Sequence, residues 1–261
     1  MSDVRKVFDN GKAFIPFITA ADPDLGTTEK LLYAIAESGA DLIEVGVPFS
    51  DPMAEGPVIM AADERALRNK VDSDDIFELV SRVSKRVDCQ FAVMTYANLV
   101  YNYGIASYAK AMKESGFSAL ILPDISYEEK LEFSVPVIAN GINYISLIAP
   151  TSEDRIKNIA ADADGFIYVV SSLGVTGMRD RIETDISKMV QMVKQVKDIP
   201  CAIGFGISRP DQAYEMARKS DGVIVGSAIV KLVEKYGHDS VPYVKDFVRS
   251  MKDACVRAGQ D

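Results

Sequence analysis

A chain of 261 residues with 48% hydrophobic content is long enough to bury one large core, and its composition is neither low-complexity nor disordered. A formal charge of −9 and the lack of any basic run argue against nucleic acid or an anionic membrane as a partner. No apolar stretch is long enough to span a bilayer, and the opening MSDVRKVFDNGKAFIPF lacks the pattern of a signal peptide, so the expected location is the cytoplasm.

Taken in chain order, short apolar runs alternate with amphipathic stretches. Phe14–Thr19 predicts a strand, followed by a helical pattern over Lys30–Ser38. Leu42–Val47 is the second strand, Ile76–Val87 a second helical pattern, and Phe91–Tyr96 the third strand. Strands are then predicted at Ala119–Leu122, Tyr144–Ile148 and Phe166–Val170. Ile186–Val196 repeats apolar residues at helical spacing (Ile186, Met189, Val190, Val193) before strands at Ala202–Phe205 and Val223–Val225. A short helix starting at Ser227 and a longer one over Val244–Val256 complete the pattern.

These strands are too continuously apolar to have one wet face, which points to a parallel sheet covered on its outside. Several follow a junction of small or polar residues, as in SGADLIEV, SGFSALIL and KSDGVIVG, where Gly or Ser fits a helix end turning into the next strand. Eight strands without a composition break predict a single α/β domain over residues 1–261, a closed (β/α)8 TIM barrel. A doubly wound open sheet is the alternative, disfavoured because no GxGxxG opens the first unit. In such a barrel the active site forms at the C-terminal ends of the strands, so functional residues are expected just after each apolar run.

Glycines recur there. SSLGVTG follows the sixth strand, GFGIS the seventh and GSAIV the eighth. Without a Cβ, backbone amides approach an anion closely, and the helix start at Ser227 adds free N–H groups and a favourable dipole. Gly177, Gly204, Phe205, Gly206, Gly226 and Ser227 are therefore assigned to a phosphate cradle.

The second strand carries Glu44 near its C-terminal end, an expensive place for a carboxylate that has no task. A general acid/base whose pKa is raised by burial is the functional reading. The following loop, PFSDPMAEGP, is shaped by Pro48, Pro52 and Pro57 and bears Asp51 and Glu55; spacing does not say which acid points inward. Three cysteines without paired spacing, Cys89, Cys201 and Cys255, read as buried small residues in a reducing compartment. His238, the single histidine, sits in the polar connection YGHDS and reads as an exposed loop residue, so no histidine-built metal site is expected.

EVGVPFSDPMAEGP, with FIPFITAADP upstream and MTYANLVYNYG, LPD, GVTG, GFGIS and GSAIVK downstream, resembles the tryptophan synthase alpha subunit family over nearly the whole chain. The resemblance implies a lyase of tryptophan biosynthesis that cleaves indole-3-glycerol phosphate to indole and glyceraldehyde 3-phosphate. It further implies no cofactor in this chain and an α2β2 partnership with a β subunit that carries pyridoxal phosphate. By the same resemblance Glu44 and Glu55 are catalytic, although Glu55 stands where the family usually has aspartate. Phe17, Tyr96, Leu122, Ile148, Tyr168 and Thr176 would contact substrate, and Pro48, Asp51 and Asn98 would face the partner.

Retro-aldol cleavage needs an electron sink, and no lysine lies in or at the exit of a predicted strand. Indole supplies its own sink once protonated at C3, with Glu44 as acid/base and Glu55 as the anion beside the indole N–H. Two alternatives stay open: another phosphate-binding barrel enzyme, or a ligand-binding activator of the β subunit with weak lyase activity of its own.

Overall fold

The computed structural model describes residues 3–170, 186–204 and 206–260. Its eight strands are β1 (Ala13–Thr19), β2 (Leu42–Gly46), β3 (Gln90–Met94), β4 (Ala119–Ile121), β5 (Asn143–Ile148), β6 (Ile167–Val170), β7 (Cys201–Gly204) and β8 (Gly222–Val225). All neighbours pair in parallel in sequence order, and β8 returns to β1, so the sheet closes into a barrel. The eight predicted strands are these eight, with ends differing by one or two residues.

Around the barrel run α1 (Leu25–Glu37), α2 (Pro57–Leu67), α3 (Ser73–Val83), α4 (Ala97–Tyr103), α5 (Ile105–Ser115) and α6 (Lys130–Ala139). They continue as α7 (Ile156–Ala161), α8 (Ile186–Lys194), α9 (Pro210–Ala217), α10 (Ser227–Tyr236) and α11 (Val241–Ala258). Periodicity alone marks the strongly two-faced α3, α8 and α11. It passes over α2, which starts with Pro57 at its first turn, and over α6, which is apolar on more than one side. The SGFSALIL junction behaves as expected: α5 ends in Gly116 with φ +93°, a left-handed cap that turns the chain into β4.

Strand alternation divides the core into two layers. Ala13, Ile15, Leu42, Ala92, Ile121 and Ile145 point into the barrel, together with Phe166 and Tyr168. Residues of the other parity, such as Phe14, Ile43, Phe91, Leu120 and Ile203, pack outward against the helices. The N-terminal end of the barrel is plugged. A short 3₁₀ turn, Val4–Phe8, sends Val4 into the inner cluster, and the Val4 N–H donates to Asn143 Oδ1 (3.1 Å) while Phe8 meets the Phe166 ring at 5.5 Å.

Two aspartates tie that same end together. Asp41 Oδ2 accepts from the Phe14 N–H and from Lys252 Nζ of α11, both at 2.7 Å. Asp221 Oδ2 takes the Cys201 N–H (2.8 Å) and pairs with Lys194 of α8 (2.9 Å). Each charge is only partly buried and fully bonded, so these pairs fix helices to strands without an orphaned group. With one end devoted to this framework, the C-terminal mouth is left for ligands.

Candidate active site

A cleft opens at the C-terminal mouth. Its floor and walls are Phe17 of β1, Glu44 of β2, Met94 of β3, Tyr168 of β6 and Ile224 of β8; Glu55 and Ile59 close one side. Glu44 is 1% exposed, and its Oε1 has no hydrogen-bond partner among the described residues. Burial pushes its pKa up to about 8, so the carboxyl is largely protonated at neutral pH. Tyr168 is held beside it: burial first, and then the charge of Glu44, keep its phenol protonated. The tyrosine fits only because β7 ends in glycine. A Cβ on Gly204 would lie 2.5 Å from the Tyr168 hydroxyl oxygen, so this glycine makes room for the ring.

Glu55 reaches the cleft from the β2–α2 loop and Asp51 does not. Asp51 is exposed and takes a hydrogen bond from Ser50 Oγ. Burial raises the pKa of Glu55, partly offset by hydrogen bonds to Asp63 and Tyr96. Tyr96 is 2% exposed and lies behind the loop: its hydroxyl accepts from the Ala54 N–H (3.2 Å), and its ring stacks on Phe49 at 4.9 Å. Expected in the substrate pocket, Tyr96 instead holds the loop that carries Glu55.

The anion end is formed by backbone. Gly206, after β7, and Gly226 and Ser227, after β8, line the same cleft as the carboxylates. Ile229 and Val230 N–H groups both bond back to Gly226 O, so the amides of Ser227 and Ala228 precede the first bond of α10. No side chain caps this helix. The loop after β7 is held by Gln212, whose Oε1 accepts from the backbone N–H groups of Ser208 (2.9 Å) and Arg209 (3.2 Å). Among the described residues that line the cleft there is no lysine or arginine, and what these offer an anion is backbone amides and a helix dipole. Thr176, Gly177 and Phe205 lie outside the described residues.

Two expected substrate contacts are corrected. Leu122 and Ile148 have the outward parity and sit in the layer between barrel and helices. A one-residue slip in reading a strand exchanges its faces; the inward residues are Ile121 and Leu147. Leu122→Ala or Ile148→Ala is therefore expected to lower stability by about 2–5 kcal/mol, read by chemical denaturation, and to leave KM unchanged. Pro48, expected at a partner surface, is buried in this chain, whereas Asp51 and Asn98 are exposed. The sequence reading missed Ile59, Met94, Ile207 and Ile224 as lining, and Asp63 altogether. Period-two parity carried through each strand from Glu44 would have found Met94 and Ile224; nothing in sequence signals Asp63.

Among the described residues no cluster of His, Cys, Asp and Glu is arranged to hold a metal ion. His238 is 72% exposed and lies 3.1 Å from Asp24 Oδ2, at the edge of α1 and away from the cleft. No helix of the described residues is long and apolar enough to cross a membrane.

Comparison with known proteins agrees on one family. A model described as "Tryptophan synthase alpha chain" matches residues 4–256. The tryptophan synthase alpha chain of Lacticaseibacillus casei is 45% identical over 255 residues, covering 97% of this chain and 96% of that protein. That of Lactiplantibacillus plantarum is 44% identical with the same coverage. Among solved structures, Mycobacterium tuberculosis tryptophan synthase superimposes with a TM-score of 0.89 at 33% identity, covering 97% of this chain and 98% of that one. Tryptophan synthase subunit alpha from Legionella pneumophila gives 0.88 at 31% identity, with 98% and 99% covered.

Proposed function

From the premise that this chain belongs to the tryptophan synthase alpha chain family, a lyase cleaving indole-3-glycerol phosphate to indole and glyceraldehyde 3-phosphate, we propose how its residues divide the work. The observation that carries the reading is Glu44: a buried carboxyl with a partnerless oxygen, in a cleft lined also by a second carboxylate and by a helix N-terminus.

Substrate enters with its phosphate on the amides of Gly206, Gly226 and Ser227, Gly177 and Phe205 being assigned to the same cradle from sequence. Its indole lies against Phe17, Met94 and Ile224. Protonated Glu44 gives its proton to indole C3, which makes C3 tetrahedral and places positive charge on the ring nitrogen. Glu55, ionised beside that N–H, stabilises the charge. The bond between C3 and the side chain then breaks, its electron pair restoring the indole ring, as the side-chain hydroxyl becomes an aldehyde and returns its proton to Glu44. The carboxyl ends as it began, so one residue serves as acid and base. Tyr168 fills the floor next to Glu44, and Thr176 is assigned to substrate from sequence alone.

No step asks for a cofactor of this chain. Association with a β subunit in an α2β2 assembly, with pyridoxal phosphate on the β side, is proposed through the exposed face bearing Asp51 and Asn98. A cytoplasmic location fits a biosynthetic enzyme. The joint presence of acid/base, anion and phosphate seat favours the lyase over a ligand-binding activator with little activity of its own.

The test is release of indole from indole-3-glycerol phosphate by the isolated chain and with a β subunit. Glu55→Asp sharpens it. The family's usual aspartate is shorter by one methylene, roughly 1.5 Å, and in a pocket built around glutamate it is expected to lower kcat by about tenfold. A rate equal to or above wild type would show that the pocket has no need of the longer side chain.

A further inference from the structure

The observation that carries furthest is a second carboxyl behind Glu55. Asp63 lies on the second turn of α2, is 4% exposed, and was not singled out by any motif. Its side chain and that of Glu55 are hydrogen-bonded to each other. Two carboxylates have no proton to donate. Taken as ionised, Glu55 Oε2 and Asp63 Oδ2 are both buried and without a partner among the described residues. A single proton between the two groups supplies the donor their hydrogen bond needs and removes the repulsion.

We propose that Asp63 is a positioning residue for Glu55: the two carboxyl groups share one proton, and the pair presents a single fixed negative charge to the substrate N–H. This rests on the role given above to Glu55.

The surroundings say where the proton sits. Asp63 faces a second acid, Asp22, which is 2% exposed and spoken for by Arg65 of the same helix through two bonds of 2.8 Å. Arg65 is also 3.6 Å from Glu234 of α10, so its charge is divided between two acids. Glu55 receives the Tyr96 hydroxyl as a donor. Asp63 therefore meets negative neighbours and Glu55 meets a donor, which places the proton on Asp63 and the charge on Glu55. Burial acts in the same direction on Asp63, ahead of the hydrogen bond and the charges of Glu55 and Asp22. The arrangement also accounts for the longer side chain at position 55. A glutamate that reaches this wall needs a partner there to set its angle, and a protonated aspartate on α2 provides one.

Four readouts test this. Asp63→Ala removes the donor and is expected to lower kcat for indole release by about 10- to 100-fold, the scale of a misplaced catalytic group. Asp63→Asn keeps a donor without a charge and is expected to recover kcat to within a few fold of wild type. In a Glu55→Gln background, Asp63→Ala is expected to cost nothing further, because Asp63 acts only through Glu55. Should Asp63→Ala fail to fold, Asp63→Leu makes the same contrast, being close to Asn in size and unable to donate. The shared proton itself is read by infrared difference spectroscopy. In the Glu44→Gln background at neutral pH, one protonated-carboxyl C=O stretch is expected, and adding Asp63→Asn should abolish it.

The proposal is overturned if Asp63→Ala turns over as wild type, if Asn and Ala are equally impaired, if the Ala cost persists in Glu55→Gln, or if the infrared band is missing. Failure of the underlying reading looks different. Glu55→Gln itself would then cleave at the wild-type rate, whereas a silent Asp63→Ala beside a crippled Glu55→Gln removes Asp63 alone.

Discussion

Replacing Glu44 by glutamine is expected to lower kcat for indole release by about a thousandfold, within the range usual for losing a general acid/base, while the fold survives. The side chains are near in size, and Gln introduces no charge into a site that is already protonated at neutral pH. The two enzymes should part company as pH rises. The pKa of Glu44 goes from 4.5, its ordinary value, to about 8 in the folded chain, so the native state binds a proton that the unfolded chain has released. That contribution is complete below pH 4.5 and is lost as pH rises to about 8, leaving a buried carboxylate that costs on the order of a few kcal/mol. Glu44→Gln has no such proton to lose. Denaturant midpoints measured from pH 5 to 9 should fall more steeply for wild type than for the variant, in which only the buried Asp63 proton of the pair described above is still lost. Turnover follows the same proton. C3 must be protonated to start the reaction, so wild-type kcat is expected to decline as pH passes about 8. A decline near the ordinary carboxyl range, or full activity in Glu44→Gln, would remove Glu44 from the acid/base role.

Ser227→Asp should separate binding from stability in the opposite sense. Ser227 opens α10, a helix with neither a side-chain cap nor an acid in its first turn. An aspartate there favours the helix through its dipole, worth about 0.3–1 kcal/mol, so Tm is expected to hold or rise. The same carboxylate stands at the rim of the anion seat, beside Gly206 and Gly226. Among the described residues lining the cleft there is no lysine or arginine to offset it. Like charge against a phosphate costs several kcal/mol, which converts to a KM raised by about a thousandfold. Inorganic phosphate should cease to compete with substrate. If KM moves less than threefold, the phosphate is not held at the start of α10.

The comparison of these two ends shows what a single sequence discloses. Continuous apolar runs fix eight parallel strands, because a strand wet on neither face has no other composition. Glu44 was legible for the complementary reason: an acid in such a run has no structural excuse. The cradle at Gly226 and Ser227 followed from glycine at strand ends. Legibility failed where a position depends on partners remote in sequence. Leu122 and Ile148 are apolar in either parity, and only their neighbours reveal that they face the helices. Tyr96 reads as pocket lining, yet its hydroxyl is drawn to the Ala54 amide and to Glu55. Asp63 is one more acid on an amphipathic helix until α2 is folded against the β2 loop. The space Gly204 yields to the Tyr168 ring is likewise invisible in sequence, where glycine at a strand end reads as an exposed amide.

The plug at the base of the barrel bears on the order of events during synthesis. Val4 is made long before the residues that receive it: its amide bonds to Asn143, 139 positions later, and Phe8 rests on the ring of Phe166. β1 likewise waits for β8 to close the sheet. A ribosome therefore releases an amino-terminal segment whose apolar groups have no seat until well over half of the chain has emerged. Val4 and Phe8 must be kept from other company in the meantime, so a stretch translated before its partners is among the last to settle.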